Sequence, residues 1–186
     1  MSRGFVKEDD QEEIPLVPPR AELPDGIINY VTQTGMEELL AEKQLLFNEN
    51  DNLDNDNEND RRIAVNHINV KLQLLGSRIS TAKIIDLQEQ PQNEVRFGAY
   101  VSLRIGNAQR TQKYQIVGVD EADISKNKIS FISPIAKLIR DKRVGDKAIL
   151  KLAKEDRLFE IVGIDYNHQP LMQSVENSTS DKVVKR

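Results

Sequence analysis

The sequence predicts an α+β protein in two parts: an N-terminal antiparallel helical hairpin and a C-terminal antiparallel β domain with one short helix. Apolar residues recur with a period near 3.5 between residues 34 and 86, which is typical of packed helices. From residue 99 onward the period is two, as in half-buried strands. The stretch QEQPQNE at 88–94 separates the two patterns and is predicted to be a linker.

The composition excludes several classes of site. The 186 residues contain no cysteine, so disulfides, zinc–thiolate centres, iron–sulfur centres and a cysteine nucleophile are ruled out. Two histidines, His67 and His168, are too few for a multi-histidine metal centre. No apolar run approaches the ~20 residues of a membrane span. The acidic N-terminus lacks the apolar stretch of a secretory signal, so we expect a soluble cytoplasmic protein.

Charge is distributed unevenly along the chain. Residues 1–60 hold four basic and sixteen acidic side chains, a net charge of −12. The remainder holds 22 basic and 14 acidic side chains, a net charge of +8. An acidic front and a basic back indicate two surfaces with different partners.

Residues 1–31 are predicted to be extended and largely non-helical, because four prolines interrupt them and no periodicity is present. Composition alone favours a disordered tail. The apolar patches at 14–17 and 27–31 nevertheless allow local docking onto the folded parts.

The hairpin is predicted over residues 32–87. Thr34 and Glu37 have the spacing of a capping box, which predicts a first helix over 34–47. One side of this helix carries Met36, Leu39, Leu40, Lys43, Leu46 and Phe47.

The second helix is predicted over 59–86, from a seam with alternating spacings of three and four. That seam is formed by Val65, Ile68, Leu72, Leu75, Ile79 and Ala82. An ordinary helical bundle is the alternative, but the sequence offers no third helix to complete one.

Between the helices, residues 48–60 contain six asparagines, six acidic residues and Leu53. Asparagine and aspartate weaken helices by competing for backbone hydrogen bonds, so this segment is predicted to be a loop at the hairpin tip. It does not match an EF-hand calcium loop, because Asn59 stands where glycine is needed and Val65 where glutamate is needed.

The C-terminal domain is predicted over 95–166, followed by a disordered tail at 167–186. Ser133 and Pro134 have the pattern of an N-cap and first helical position, which predicts a short helix at 135–140. The predicted strands cover 99–105, 114–119, 128–132, 148–152 and 158–164.

Three groups of residues closely resemble the C-terminal domain of the bacterial transcript-cleavage factors GreA and GreB, with GreB as the nearer type. These groups are Gly118-Val119-Asp120-Glu121, Ile129 to Lys137, and Val144-Gly145-Asp146. Tyr30 to Gly35 resembles the helix-opening Thr-x-x-Gly segment of the family, which would start the first helix at Thr32. Lys83 to Asp86 resembles the end of the second arm.

The resemblance implies a coiled-coil hairpin that enters the secondary channel of RNA polymerase and an FKBP-like domain that docks at the channel rim. Such factors are not enzymes and have no cofactor of their own. Their acidic tip helps to hold a catalytic Mg²⁺ in the polymerase, which then hydrolyses backtracked RNA. The implied partner is RNA polymerase, with nucleic acid contacted indirectly and the factor itself a monomer. The docking surface would include Ser133, Pro134, Ile135 and Lys137.

The tip departs from the family pattern, because the family string Leu-Gly-Asp-Arg-Ser-Glu-Asn-Ala-Asp-Tyr is absent. The carboxylates that could replace it are Asp51, Asp54, Asp56, Glu58 and Asp60. The expected function is promotion of transcript cleavage. The alternatives are a regulator that occupies the channel without cleavage and, more remotely, a stand-alone prolyl isomerase or chaperone. An isomerase needs an aromatic-lined pocket, whereas most aromatic residues of the domain are expected in its core.

Overall fold

The computed structural model describes residues 16–53, 57–106, 110–153 and 156–167, and it confirms the α+β fold class. In chain order its elements are β1 (Asn29–Val31), α1 (Gln33–Asp51), α2 (Glu58–Ser80), β2 (Ala82–Ile84), β3 (Tyr100–Ile105), β4 (Thr111–Val117), a 3₁₀ turn (Ile124–Lys126), β5 (Lys128–Ser130), α3 (Pro134–Ile139), β6 (Lys147–Leu150) and β7 (Arg157–Asp165).

Helices α1 and α2 form the hairpin around a small apolar core. Leu39 and Leu46 of α1 pack with Ile68 and Leu75 of α2, and all four are buried. At a rise of 1.5 Å per residue the 19 and 23 residues of the helices span about 28 and 34 Å. No helix in the described part of the chain is long and apolar enough to cross a membrane.

The first arm is longer than predicted, because α1 extends four residues into the acidic segment and ends at Asp51. Each asparagine or aspartate destabilises a helix by only a fraction of a kcal/mol relative to alanine. The packing of Leu46 and Leu53 in the hairpin core outweighs this cost. Not every residue of the predicted apolar side of α1 packs against α2. Leu40 and Phe47 remain about half exposed, and the Lys43 ammonium lies 5.8 Å from the centre of the Phe47 ring.

The prediction that a Thr34 capping box opens α1 is wrong. Thr32 is the N-cap, and its hydroxyl oxygen accepts a hydrogen bond from the Gly35 backbone N–H at 2.9 Å. Thr32 directly follows β1 and keeps an extended backbone, whereas Thr34 is already helical. Glu37 instead accepts a hydrogen bond from the Gln33 side chain at 2.9 Å. The start at Thr32, which the family resemblance suggested, is the correct one.

The second helix is shorter than predicted, since α2 ends at Ser80 rather than near 86. Residues 82–84 form β2, which pairs in parallel with β1. Pairing with β1 satisfies the backbone N–H and C=O groups of these residues, which would otherwise form hydrogen bonds within a longer helix. The Asn29 side chain also donates to the carbonyl oxygen of Arg78 at 2.9 Å, which fixes the end of α2 to the start of β1.

The C-terminal domain is a five-stranded sheet in the order β5-β4-β3-β7-β6. Three of its strand pairs are antiparallel, but β4 and β5 are parallel, so the prediction of a wholly antiparallel sheet is wrong for that pair. The crossover between β4 and β5 contains the 3₁₀ turn, which ends at Asn127 in a left-handed conformation with φ of 56°. Side chains of β3, β4, β5 and β7 pack under α3 to form the core.

The end of the predicted linker is tied to the β domain. The Tyr166 hydroxyl donates to the Glu94 carbonyl oxygen at 2.6 Å and accepts from the Arg96 backbone N–H at 2.8 Å. The Glu94 carboxylate pairs with Arg143 at 2.6 Å and with Arg96 at 3.1 Å. Hydrogen bonds from Arg143, and then from Arg96, lower the pKa of Glu94 below its usual value.

A buried carboxylate, Glu121, joins the start of the hairpin to the β domain. The Glu121 side chain is only 2% exposed, and one of its oxygens lies 3.0 Å from the Lys128 ammonium. Its other oxygen accepts a hydrogen bond of 2.5 Å from the Thr32 hydroxyl. Glu121 therefore lies at the N-terminus of α1, where the helix dipole favours a negative charge. We refer to Thr32, Gly35, Glu121 and Lys128 as the junction.

The junction explains why residue 35 is glycine. A Cβ atom at this position would lie 2.6 Å from a Glu121 carboxylate oxygen. We predict that Gly35→Ala lowers the free energy of unfolding by about 1–3 kcal/mol, because either the carboxylate or the helix must move. Chemical denaturation of the purified protein measures this change.

Gly76→Ala is the matched control, because Gly76 is also helical and an added Cβ there meets nothing within 4 Å. It should raise stability by up to about 1 kcal/mol through helix propensity. A stabilising effect at both positions would contradict the described placement of Glu121.

Candidate functional site

The hairpin tip presents acidic side chains from both helices. Asp51 lies in the last turn of α1, and Glu58 and Asp60 lie in the first turn of α2. All three residues are exposed. The other two predicted ligands, Asp54 and Asp56, lie outside the described residues.

Two of these carboxylates also have a local structural role. Asn57 is the N-cap of α2, and its side-chain oxygen accepts a hydrogen bond from the Asn59 backbone N–H at 3.0 Å. The Asn57 side-chain nitrogen donates to the Asp60 carboxylate at 2.8 Å. Glu58 and Asp60 both place negative charge at a helix N-terminus, which is favourable.

The described tip does not form a chelating site by itself. Within residues 16–53, 57–106, 110–153 and 156–167, no three acidic, histidine or cysteine side chains converge closely enough to hold a metal ion. Exposed carboxylates of this kind can add oxygen ligands to a metal that another molecule already holds.

The four predicted docking residues lie together on and just before α3. The Ser133 hydroxyl accepts a hydrogen bond from the Ala136 backbone N–H at 3.2 Å, so Ser133 caps the helix as predicted. Ile135 is half-buried and packs against the domain core. Pro134 and Lys137 are exposed. Two of these residues thus anchor the helix, and the other two are exposed to solvent.

A cavity of about 280 Å³ lies between the base of the hairpin and the β domain. The rings of Tyr30, Phe97 and Phe131 line it, with centroids 5.7–5.8 Å apart. This arrangement could not be predicted from the sequence, because Tyr30 belongs to β1, outside the domain that supplies the other two rings. The backbone also packs closely here, since a Cβ atom at Gly118 would lie 2.8 Å from the Tyr30 carbonyl oxygen.

Charge at the junction is balanced by Lys128, whose ammonium lies 3.0 Å from Glu121 and 3.4 Å from Glu38. Burial lowers the pKa of Lys128, but the hydrogen bond and charge of Glu121, assisted by Glu38, outweigh it and leave the pKa raised above 10.5. The stability linked to the raised pKa of Lys128 is therefore present below pH 10.5 and is lost as the pH rises through the higher pKa of the folded state.

These features define a class of protein: a two-part α+β factor in which a helical hairpin with an acidic tip is fixed to a small β domain. Residues 90–166 match the sequence model of the family described as "Transcription elongation factor, GreA/GreB, C-term". The β domain of this chain is therefore similar in sequence to the C-terminal domain of the GreA/GreB family.

Curated relatives agree with this assignment. Transcription elongation factor GreA of Francisella philomiragia is 38% identical over 97 residues, which cover 52% of this chain and 61% of the relative. GreA of Halorhodospira halophila is 39% identical over 99 residues, with the same shares. The matched region thus spans less than two thirds of the length of these relatives. Because both carry the GreA name, the likeness to GreB stays a prediction.

Among solved structures, the transcription elongation factor GreA/GreB of Nitrosomonas europaea is 18% identical and superposes with a TM-score of 0.38, covering 75% of this chain and 99% of its own. GreA factor homolog 1 (Gfh1) of Thermus thermophilus is 23% identical with a TM-score of 0.35, covering 73% of this chain and 97% of its own. Both superpositions are too loose to define a shared arrangement.

We predict that the free protein binds Mg²⁺ only weakly, with a dissociation constant of about 1 mM or higher, as for the weakest calcium modules. Flexible carboxylates lose entropy on ordering, and the described ones do not converge. Isothermal titration of the intact chain with MgCl₂ measures the affinity. Saturable binding at micromolar Mg²⁺ would show that the tip is a metal site in its own right.

Proposed function

We propose that this protein is a transcription elongation factor that binds RNA polymerase, inserts its hairpin into the secondary channel and promotes cleavage of backtracked transcripts. The observation that carries the proposal is the family match of residues 90–166, the region that contains α3 and its two exposed residues. The curated relatives bear the name of transcription elongation factor.

In this proposal the protein is not itself an enzyme. The polymerase holds the catalytic Mg²⁺, and the tip carboxylates supply one or two further oxygen ligands to it. A metal held in this way can activate water for attack on a phosphodiester. The factor reaches nucleic acid only inside the transcription complex, acts as a monomer and works in the bacterial cytoplasm.

In this proposal the two ends of the molecule have distinct tasks. The α3 corner lies in the β domain and supports docking, while Asp51, Glu58 and Asp60 lie at the far end of helices that are about 28 and 34 Å long. While the β domain binds the surface of the polymerase, a carboxylate on such an arm can reach a metal ion deep inside it.

A second candidate function is occupancy of the channel without cleavage. It is favoured by the hydrogen bond that the Asn57 side chain donates to the Asp60 carboxylate at the start of α2, because this carboxylate then stabilises the helix end. The absence of the family tip string points the same way. Both candidates require polymerase binding, so they differ only in the chemistry of the tip.

Docking is tested by Lys137→Glu, which reverses one exposed charge on α3 without touching the Ser133 cap. We expect its affinity for core RNA polymerase to fall roughly tenfold, since reversing a charge at an interface costs about 1–2 kcal/mol. Competition with labelled wild-type protein measures the affinity.

The matched control is Arg110→Glu, because Arg110 is exposed and directly precedes β4. Strands β4 and β5 are parallel, and α3 follows the C-terminal end of β5, so Arg110 lies at the opposite end of these strands. Its affinity should stay within about twofold of wild type, as for charges outside an interface. Equal losses in both variants would indicate general charge attraction and would contradict docking through α3.

The tip is tested by replacing Asp51, Asp54, Asp56, Glu58 and Asp60 together by their amides, which keeps their shape and removes their charge. We expect stimulated cleavage in stalled polymerase complexes to fall at least roughly tenfold, a typical cost of removing groups that stabilise a catalytic metal. RNA product lengths on gels report the cleavage, and competition reports binding.

The measurement separates the two candidate functions. Retained polymerase binding with loss of cleavage supports the cleavage factor. If the wild-type chain binds polymerase and stimulates no cleavage, the protein occupies the channel and the acidic residues serve the fold.

A further inference from the structure

Residues 16–26, which we name the N-terminal strap, run across the hairpin without helix or strand. Val17, Pro18 and Pro19 line a cavity of about 330 Å³ together with Leu74 of α2. At its end the strap turns at Gly26, where φ is 79° and the Ile27 N–H donates to the Pro24 carbonyl oxygen at 3.1 Å. The chain then enters β1.

Arg20 of the strap connects both parts of the protein. Its two terminal nitrogens donate to the Glu42 carboxylate of α1 at 2.8 and 3.0 Å. Its Nε donates to Asp120 of the β domain at 2.9 Å. A planar guanidinium that serves two carboxylates through three donors holds both in a defined geometry.

Asp120 receives a second cation from the hairpin. The Nε atom of Arg78 in α2 lies 2.9 Å from the other Asp120 oxygen. Arg78 also donates to the carbonyl oxygen of Ala21 in the strap. The Asp120 side chain is 7% exposed, so the two ion pairs are less screened than pairs on an open surface.

This cluster is a second connection between hairpin and β domain, separate from the junction. The junction joins the start of α1 to Glu121, whereas the strap cluster joins α2 and the middle of α1 to Asp120. The ring contacts of Tyr30 and the Arg78–Asp120 ion pair also join the two parts directly, near the base of the hairpin. Arg20 adds an ion pair that binds the middle of α1 and the β domain at the same time, and this contact opposes rotation about the base.

We propose that the N-terminal strap is an interdomain clasp that fixes the angle of the hairpin relative to the β domain through Arg20. The clasp selects one orientation from those that the junction and the linker allow. Release of Arg20 leaves the fold of each part intact and widens the range of hairpin angles. This inference does not depend on polymerase binding.

The test measures the distance between two spin labels, one on each part. Because the chain has no cysteine, Glu49→Cys near the tip and Lys147→Cys on β6 accept labels uniquely, and both positions are exposed. Electron double resonance on the full-length protein then gives the distribution of distances. We expect Arg20→Gln to widen this distribution roughly twofold, as more orientations become populated.

The matched control is Arg104→Gln, which removes an ion pair of 2.9 Å with Glu160 between two strands of the same sheet. It should leave the distribution unchanged. An unchanged width in Arg20→Gln would overturn the clasp.

Asp120→Asn provides a second variant, because it weakens both arginine contacts while preserving side-chain shape. The clasp predicts a width at least equal to that of Arg20→Gln, with unchanged helix content by circular dichroism. A normal width in Asp120→Asn would also overturn the proposal.

Discussion

The carboxylate of Glu121 lies where three segments of the chain meet, and the position of the hairpin depends on it. A carboxylate that is 2% exposed has lost its contact with water, and partners in the protein must replace the hydrogen bonds that water would give. Lys128 supplies the opposite charge, and Thr32 supplies a hydrogen bond while also capping α1. Removal of either partner would leave a buried charge under-compensated, which is far more costly than the loss of an exposed ion pair. The start of α1 is therefore fixed to the β domain.

Features set by local chemistry could be predicted from the sequence. The serine cap and the proline at the first position of α3 are a local signal, and the structure confirms both. Strands β3 and β7 also lie within about one residue of their predicted limits, since their alternating pattern matches a sheet with one buried face. The division into a hairpin and a β domain follows from the change of period, which requires no knowledge of long-range contacts.

Features set by distant partners could not be predicted in this way. Thr34 has a better local capping pattern than Thr32, but Thr32 follows the β1–β2 pair and contacts Glu121, which lies 89 residues further on. The early end of α2 has the same origin, because β2 exists only through its pairing with β1. The strap could be predicted only in part, since its prolines indicate an extended, non-helical backbone and the structure agrees for residues 16–26. Composition favoured disorder for it, and nothing local indicates that Arg20 meets a carboxylate 100 residues away.

Several residues on which the family resemblance rests are used inside the molecule rather than on its surface. Asp120 and Glu121 bind arginine, lysine and threonine side chains, and Gly35 and Gly118 leave room for a carboxylate and a carbonyl oxygen. A likeness at such positions supports a common way of holding a hairpin on a β domain, which is a statement about architecture. It says little about the chemistry at the far end of the hairpin, where packing places few demands on residue type. Within this architecture the residues of the tip can change without disturbing the junction, because the tip and the junction lie at opposite ends of α1.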